Sequence, residues 1–197
     1  MANAVCVGVT SMICYTITSS RPQDVNLMPR ARSEAPSPFR GSGHDHETCI
    51  DRALDCAAQL CEKRGARLTE LRREVLALVW RGHEPVGAYA ILDALRLTHS
   101  NAAPPTVYRA LDFLIEQGLI HRLASMNAYM GCARPEEPHV SQFLICAGCG
   151  TAAELEEPAI AAAVLRRADQ LGFAVEQQTV EVRGFCPRCR THAEKSR

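Results

Sequence analysis

Apolar residues first recur at three- and four-residue steps from Glu47 onward. Ile50, Leu54, Ala57, Ala58, Leu60 and Cys61 form one stripe and Gly65 is placed to end it, which predicts a helix. Thr69 suits an N-cap, and Leu71, Val75, Leu76, Val79 and Trp80 follow on one face until Gly82 and Pro85 stop the pattern. A short third helix carries Tyr89, Ile91, Leu92 and Leu95. After the polar loop 98–101, Pro104 and Pro105 can occupy the first turn of a fourth helix, whose apolar face is Val107, Ala110, Leu111, Leu114 and Ile115 and which Gly118 closes. The pattern then turns extended, with strands over 119–123 and 128–132 joined by a turn at 125–127. Helices followed by a two-stranded hairpin predict the winged variant of a helix-turn-helix domain.

A proline-bearing hinge, 134–139, separates this unit from a smaller one. There the pattern predicts strands over 140–146 and 151–155, a helix from Pro158 to Leu171 with Ile160, Val164, Leu165, Ala168 and Leu171 on one face, and a strand over 173–183. The fold class is therefore α+β: a winged helix over 47–133, the hinge, a small α/β domain over 140–192 and a tail over 193–197. A unit this small needs a metal or a partner chain to be stable. Residues 21–46 hold Pro, Gly and Ser without apolar period and read as a linker or tail. The first 20 residues are apolar and small but lack a basic n-region and are interrupted by Thr and Ser, so a secretory signal is the weaker reading. Residues 1–46 are taken as a disordered extension, with Met28 able to begin a shorter chain.

Composition narrows the function. Lys plus Arg number 22 against 22 Asp plus Glu, which argues against indiscriminate coating of nucleic acid but leaves a sequence-specific binder open. A hydrophobic share of 47% rules out a wholly disordered chain, and the absence of a long apolar run rules out a conventional membrane span. Ten cysteines in 197 residues is the anomaly; in a reducing cytoplasm clustered cysteines point to metal rather than disulfides.

Cys146-x-x-Cys149 and Cys186-x-x-Cys189 supply four thiolates, the full tetrahedral shell of a closed structural zinc site. Gly148 and Gly150 let the first knuckle curl. Redox dithiols or disulfides are the alternative. A second set is dispersed: His121, Cys132, His139 and Glu154 offer two N, one S and one O donor from both sides of the hinge, a mixture suited to Zn(II). Each has an ordinary explanation alone, as an exposed or loop histidine, a buried thiol or a solvated carboxylate. Together, an ion held by all four would couple the winged helix to the small domain. Cys49, Cys56 and Cys61 read as core thiols, His44 and His46 as a solvated segment, and Cys6 and Cys14 carry no reading.

Residues 63–73 (KRGARLTELRR) carry five basic side chains and one acidic, Arg67 among them, and beside a helix-turn-helix read as a phosphate-binding patch. The N-terminal half of the fourth helix should enter the major groove. Thr106 and Tyr108 can contact phosphates or bases, and Arg109 has the planar donor fork for guanine. Tyr89 is placed either inward or toward DNA.

The segments GARLTELRREVL, APPTVYRALDFLIEQGLIHRL, CAGCG and CPRC resemble the ferric uptake regulator superfamily of bacterial metal-responsive repressors, over about residues 50–190, and within it the zinc uptake regulator branch. The resemblance implies a homodimer whose winged helices bind an inverted-repeat operator. It also implies a C-terminal domain that dimerises around a four-cysteine zinc, and a regulatory zinc at positions matching His121, Cys132, His139 and Glu154. Iron- and peroxide-sensing relatives carry a His-His-Asp-His run where this chain has Val140, Ser141, Gln142 and Phe143, which disfavours iron.

The expectation is a cytoplasmic, zinc-responsive repressor of zinc-uptake genes with two Zn(II) per chain. It is not an enzyme and has no membrane association and no small-molecule substrate. Three competitors stay open: an iron- or other metal-responsive repressor, a zinc hydrolase using Glu154 as base, and an interaction module with structural zinc only.

Overall fold

The computed structural model describes residues 46–195, apart from residues 83 and 138. The expected extension, with Cys6, Cys14, Met28 and His44, and the hinge residue Pro138 lie outside the described residues. Those described fall within one compact unit, Pro36–Arg197.

Four helices build the N-terminal half: α1 (His46–Lys63), α2 (Glu70–Trp80), α3 (Ala88–Leu95) and α4 (Pro104–Glu116). Their apolar stripes meet in one core. Leu54, Ala57, Leu60 and Cys61 of α1 pack with Val75, Leu76 and Val79 of α2, Ile91, Leu92 and Leu95 of α3, and Val107, Ala110, Leu111 and Leu114 of α4. Thr69 caps α2, its side chain accepting from the Arg72 N–H at 3.5 Å. Pro104 and Pro105 occupy the first turn of α4, where a missing N–H costs nothing.

The wing corrects the expected two-stranded hairpin. Strand β1 (Val86–Gly87) joins β2 (Ile120–Leu123) and β3 (Ala128–Gly131) in a three-stranded sheet of order β1-β3-β2. A two-residue strand beside Pro85 has no room for an alternating pattern. The turn between β2 and β3 is a 3₁₀ turn, Ala124–Met126, closed by Asn127 in the left-handed region (φ 47°). Gly131 is required by packing: a Cβ there would overlap the Trp80 indole. Gly131→Ala is expected to destabilise the protein by about 1–3 kcal/mol, as overpacking of a tight contact does. A lowered urea midpoint would register it; an unchanged one would show that Trp80 has room to move.

The C-terminal half is a second sheet, order β5-β4-β6, of β4 (Ser141–Cys146), β5 (Ala152–Glu154) and β6 (Thr179–Gly184), with α5 (Pro158–Gln170) and α6 (Pro187–Lys195). β4 pairs antiparallel with β5 and parallel with β6. Three expectations change here. The last strand begins at Thr179 rather than 173, and Phe173 is exposed. The second knuckle opens α6, a polar helix with no apolar stripe to announce it. The apolar face expected of α5 exists, but no α5 residue is buried, and Val164, Leu165 and Leu171 stand in solvent. Among the described residues no helix is long and apolar enough to cross a membrane.

Candidate metal centres and nucleic-acid face

The four knuckle cysteines converge. Cys146 ends β4, Cys149 lies in the turn after it, and Cys186 and Cys189 sit at the start of α6, with all four sulfurs within 4.8 Å of one another. The Cys149 and Cys186 sulfurs are 3.9 Å apart. Thiolates about 2.3 Å from a tetrahedral ion stand about 3.8 Å apart, so the spacing fits zinc. Gly150 takes φ +76°, and a Cβ at Gly148 would press on Cys189 at 3.0 Å. Burial opposes ionisation of Cys146, but backbone N–H groups of Cys186, Cys149 and Gly148 hold its thiol down to about 6. The Cys186 N–H lies 3.3 Å from the Cys146 sulfur and the Cys189 N–H 3.5 Å from that of Cys186, as expected of a nest prepared for thiolates.

The second donor set also assembles. His121 lies on β2, opposite Met130; Cys132 follows β3, its N–H donating to the Leu119 carbonyl; His139 leaves the hinge; Glu154 ends β5. One ligand atom from each falls within 4.8 Å of all the others. His139 Nε2 is 3.6 Å from the Cys132 sulfur, 3.4 Å from His121 Nε2 and 2.8 Å from Glu154 Oε1. The first two separations match the edges of a tetrahedron of imidazole and thiolate around zinc, about 3.6 and 3.4 Å.

Each imidazole is oriented from behind. His139 Nδ1–H donates to the Glu137 carbonyl at 2.8 Å, and His121 Nδ1 pairs with the Ser141 hydroxyl at 3.0 Å, so both Nε2 atoms face the cluster. Burial would raise the Glu154 carboxyl, but hydrogen bonds and charge from His121 and His139 keep it below the usual range. Cys132 is 2% exposed, and burial pushes its thiol up to about 12. Seen from the sequence alone, Ser141 was merely a position without histidine, and the Glu137 carbonyl gave no signal. Ser141 acts across a fold in the chain, 20 positions from His121, and the Glu137 carbonyl acts from two residues away through the local backbone path, which residue identity does not reveal.

The nucleic-acid candidates divide. Tyr108 and Arg109 are exposed on α4 opposite its buried stripe, with Thr106 half-buried beside them. Arg109 Nε donates to the Pro105 carbonyl at 3.3 Å along the helix. Tyr89, 67% exposed at the start of α3, points outward. Arg67 is exposed, but the basic patch is partly spent inside the molecule. Arg72 stacks 3.6 Å over the Phe113 ring, and Arg64 reaches the carbonyls of Gln117 and Pro135, the latter at 3.2 Å. Of the α1 thiols, Cys61 is core, whereas Cys49 and Cys56 are half-buried and line a 460 Å³ cavity with Trp80 and Cys132.

With the geometry in hand, comparison with known proteins is decisive. Residues 63–183 match the ferric uptake regulator family. The chain belongs to that family. It is 38% identical over 144 residues to the zinc uptake regulation protein of Escherichia coli (strain K12), covering 73% of this chain and 84% of that one. Its fold is similar to a zinc uptake regulator complexed with zinc and DNA, at TM-score 0.71 and 37% identity over 74% of this chain and 97% of the other. It is also similar to a crystal structure of holo XcZur, at TM-score 0.67 and 42% identity over 72% and 99%. Both donor clusters fall on or just beyond the matched segment, whereas residues 1–45 fall outside it.

Proposed function

We propose that this chain is a zinc-responsive repressor of zinc-uptake genes, with Zn(II) as corepressor. The observation that carries the reading is the hinge cluster. Two of its donors, His121 and Cys132, belong to the wing, His139 is the last residue of the hinge and Glu154 belongs to the C-terminal half, so occupation of the cluster has to fix one half against the other.

In this reading residues 47–133 bind DNA, 134–139 are the hinge, 140–192 dimerise and 193–197 are a tail. Two Zn(II) are held per chain, one by Cys146, Cys149, Cys186 and Cys189 and one by His121, Cys132, His139 and Glu154. A bound ion supplies only charge and coordination. The Glu137 carbonyl and Ser141 aim the imidazoles, and Cys132 gives up its proton. Glu154 accompanies both histidines at 2.8 and 3.2 Å rather than standing off as a base, which supports a closed four-ligand site over a hydrolase. The sulfur donor favours zinc over iron.

Val164, Leu165, Leu171, Phe173, Val182 and Phe185 are large apolar residues left exposed in the C-terminal half, as expected of a homodimer face. A two-fold dimer would present paired α4 helices to an inverted-repeat operator, with half-sites one turn apart, about 34–36 Å. Tyr108, Arg109 and Thr106 would meet base edges or phosphates, with Arg67 and Tyr89 at the backbone. The likeness to zinc-bound relatives, one of them on DNA, supports the assignment. The cytoplasm, with no membrane or small-molecule partner, is the setting proposed.

The test is fluorescence anisotropy on DNA from the protein's own upstream region. Tight binding should appear on adding Zn(II) and vanish with a chelator. Binding indifferent to zinc, or equally driven by ferrous iron, would overturn the reading.

A further inference from the structure

The face of the C-terminal sheet that meets the wing carries one cross-strand row with an uneven division of labour. Phe143 of β4 pairs with Glu154 of β5 on one side and with Glu181 of β6 on the other. Directly opposed residues project from the same side of a sheet, so two carboxylates flank one buried ring. Phe143 is 1% exposed; it packs with Leu123, Met126 and Met130 of the wing and meets the His121 ring edge-on at 5.3 Å. Glu154 goes to the histidines of the hinge cluster.

Glu181 goes elsewhere. Its two oxygens accept from consecutive backbone amides at the start of the wing's 3₁₀ turn, Ala124 N–H at 2.7 Å and Ser125 N–H at 3.0 Å. These groups have no partner within such a turn, and a carboxylate bonded to both makes two charge-assisted hydrogen bonds. The contact joins residues 56 and 57 positions apart and lies two strands from Glu154, about 10 Å at ordinary strand spacing. It therefore needs no metal.

We propose that Glu181 is a positioning residue, a metal-independent latch that holds the wing docked on the C-terminal sheet and thereby sets how much zinc the protein needs to bind DNA. The inference rests on the repressor reading above. Two forms of the chain differ in whether the wing is docked, and zinc binds the docked form because only there do the four donors meet. A latch that favours docking without zinc raises the population ready to bind it and lowers the zinc midpoint. Once zinc saturates, the docked form dominates with or without the latch.

The test is a zinc titration of operator binding, read by anisotropy, on the full-length wild type, Glu181→Ala and Glu181→Gln. Glu181→Ala should raise the zinc midpoint by about tenfold, within the usual range of coupling between sites. Operator affinity at saturating zinc and the tightly held structural zinc should not change. Glu181→Gln keeps one neutral acceptor and should fall between the two. It also preserves side-chain volume, so it answers the question even if the alanine variant folds poorly. A midpoint within about twofold of wild type in both variants, or an equal loss of operator affinity at all zinc levels, would overturn the latch. Failure of the wild type itself to respond to zinc would instead sink the repressor reading.

Discussion

Cys146→Ser is expected to cost the C-terminal half its fold and, with it, the proposed dimer. This half has little else to hold it together: its cluster of buried residues is Leu123, Phe143, Ile145 and Ala152, and Leu123 is lent by the wing. The four sulfurs tie the turn after β4 to the first turn of α6, extending the β4–β6 pairing, which ends at Cys146 and Gly184, into segments that no strand pairing holds. A structural zinc of this kind contributes roughly 10–16 kcal/mol of apparent binding free energy, which in a small domain is folding free energy. Serine keeps the size but is a poor zinc ligand at neutral pH. Native mass spectrometry should find one zinc fewer per chain, and light scattering a monomer or aggregate. A folded dimer retaining both metals would remove the structural role from the cluster.

The second large effect is that of Cys132→Ser, and its character is opposite. Cys132 is not among the residues of either apolar cluster, and its backbone N–H bond to Leu119 survives the exchange, so the fold should remain. What disappears is the one soft donor of the hinge site. Zinc affinity there should fall by more than about 100-fold, beyond the range seen for losing an outer partner of a ligand, and zinc-dependent operator binding should vanish.

Acidity sharpens the test. Burial holds the Cys132 thiol near 12, so at neutral pH it is protonated and must release its proton for metal to bind, whereas Glu154 is already ionised. Wild-type zinc affinity should rise with pH, by about tenfold per unit from this group between about pH 6.5 and 8.5, and weaken toward acid. The variant should lose that slope. Chelator competition across this range measures both. A variant that still answers zinc at the operator would show that the hinge set is not the sensor.

These contrasts show how unevenly the molecule was written into its sequence. Helices α1 to α4 were legible because a 3.6-residue period is a local property: Leu54, Val75, Leu111 and their neighbours are spaced to bury one stripe whatever lies opposite. The knuckles were legible because CxxC is itself a piece of coordination geometry. β1 and α6 were not, one being two residues long and the other polar throughout. Phe173 and Val175 looked like strand, but among the described residues no strand pairs with them, the ladder to β4 starting only at Thr179, and propensity without a partner does not make a strand.

Residue types alone therefore determined a winged helix, a small α/β unit after it, a four-cysteine cluster and a donor set with zinc chemistry. Only the tertiary structure decided what those donors answer to. Ser141 and the Glu137 carbonyl turn the imidazoles, Arg64 leaves the basic patch for the hinge, and Glu181 grips the wing on the far side of Phe143. Each of the last two contacts depends on strand register or loop closure over more than fifty residues, and no local period carries that information.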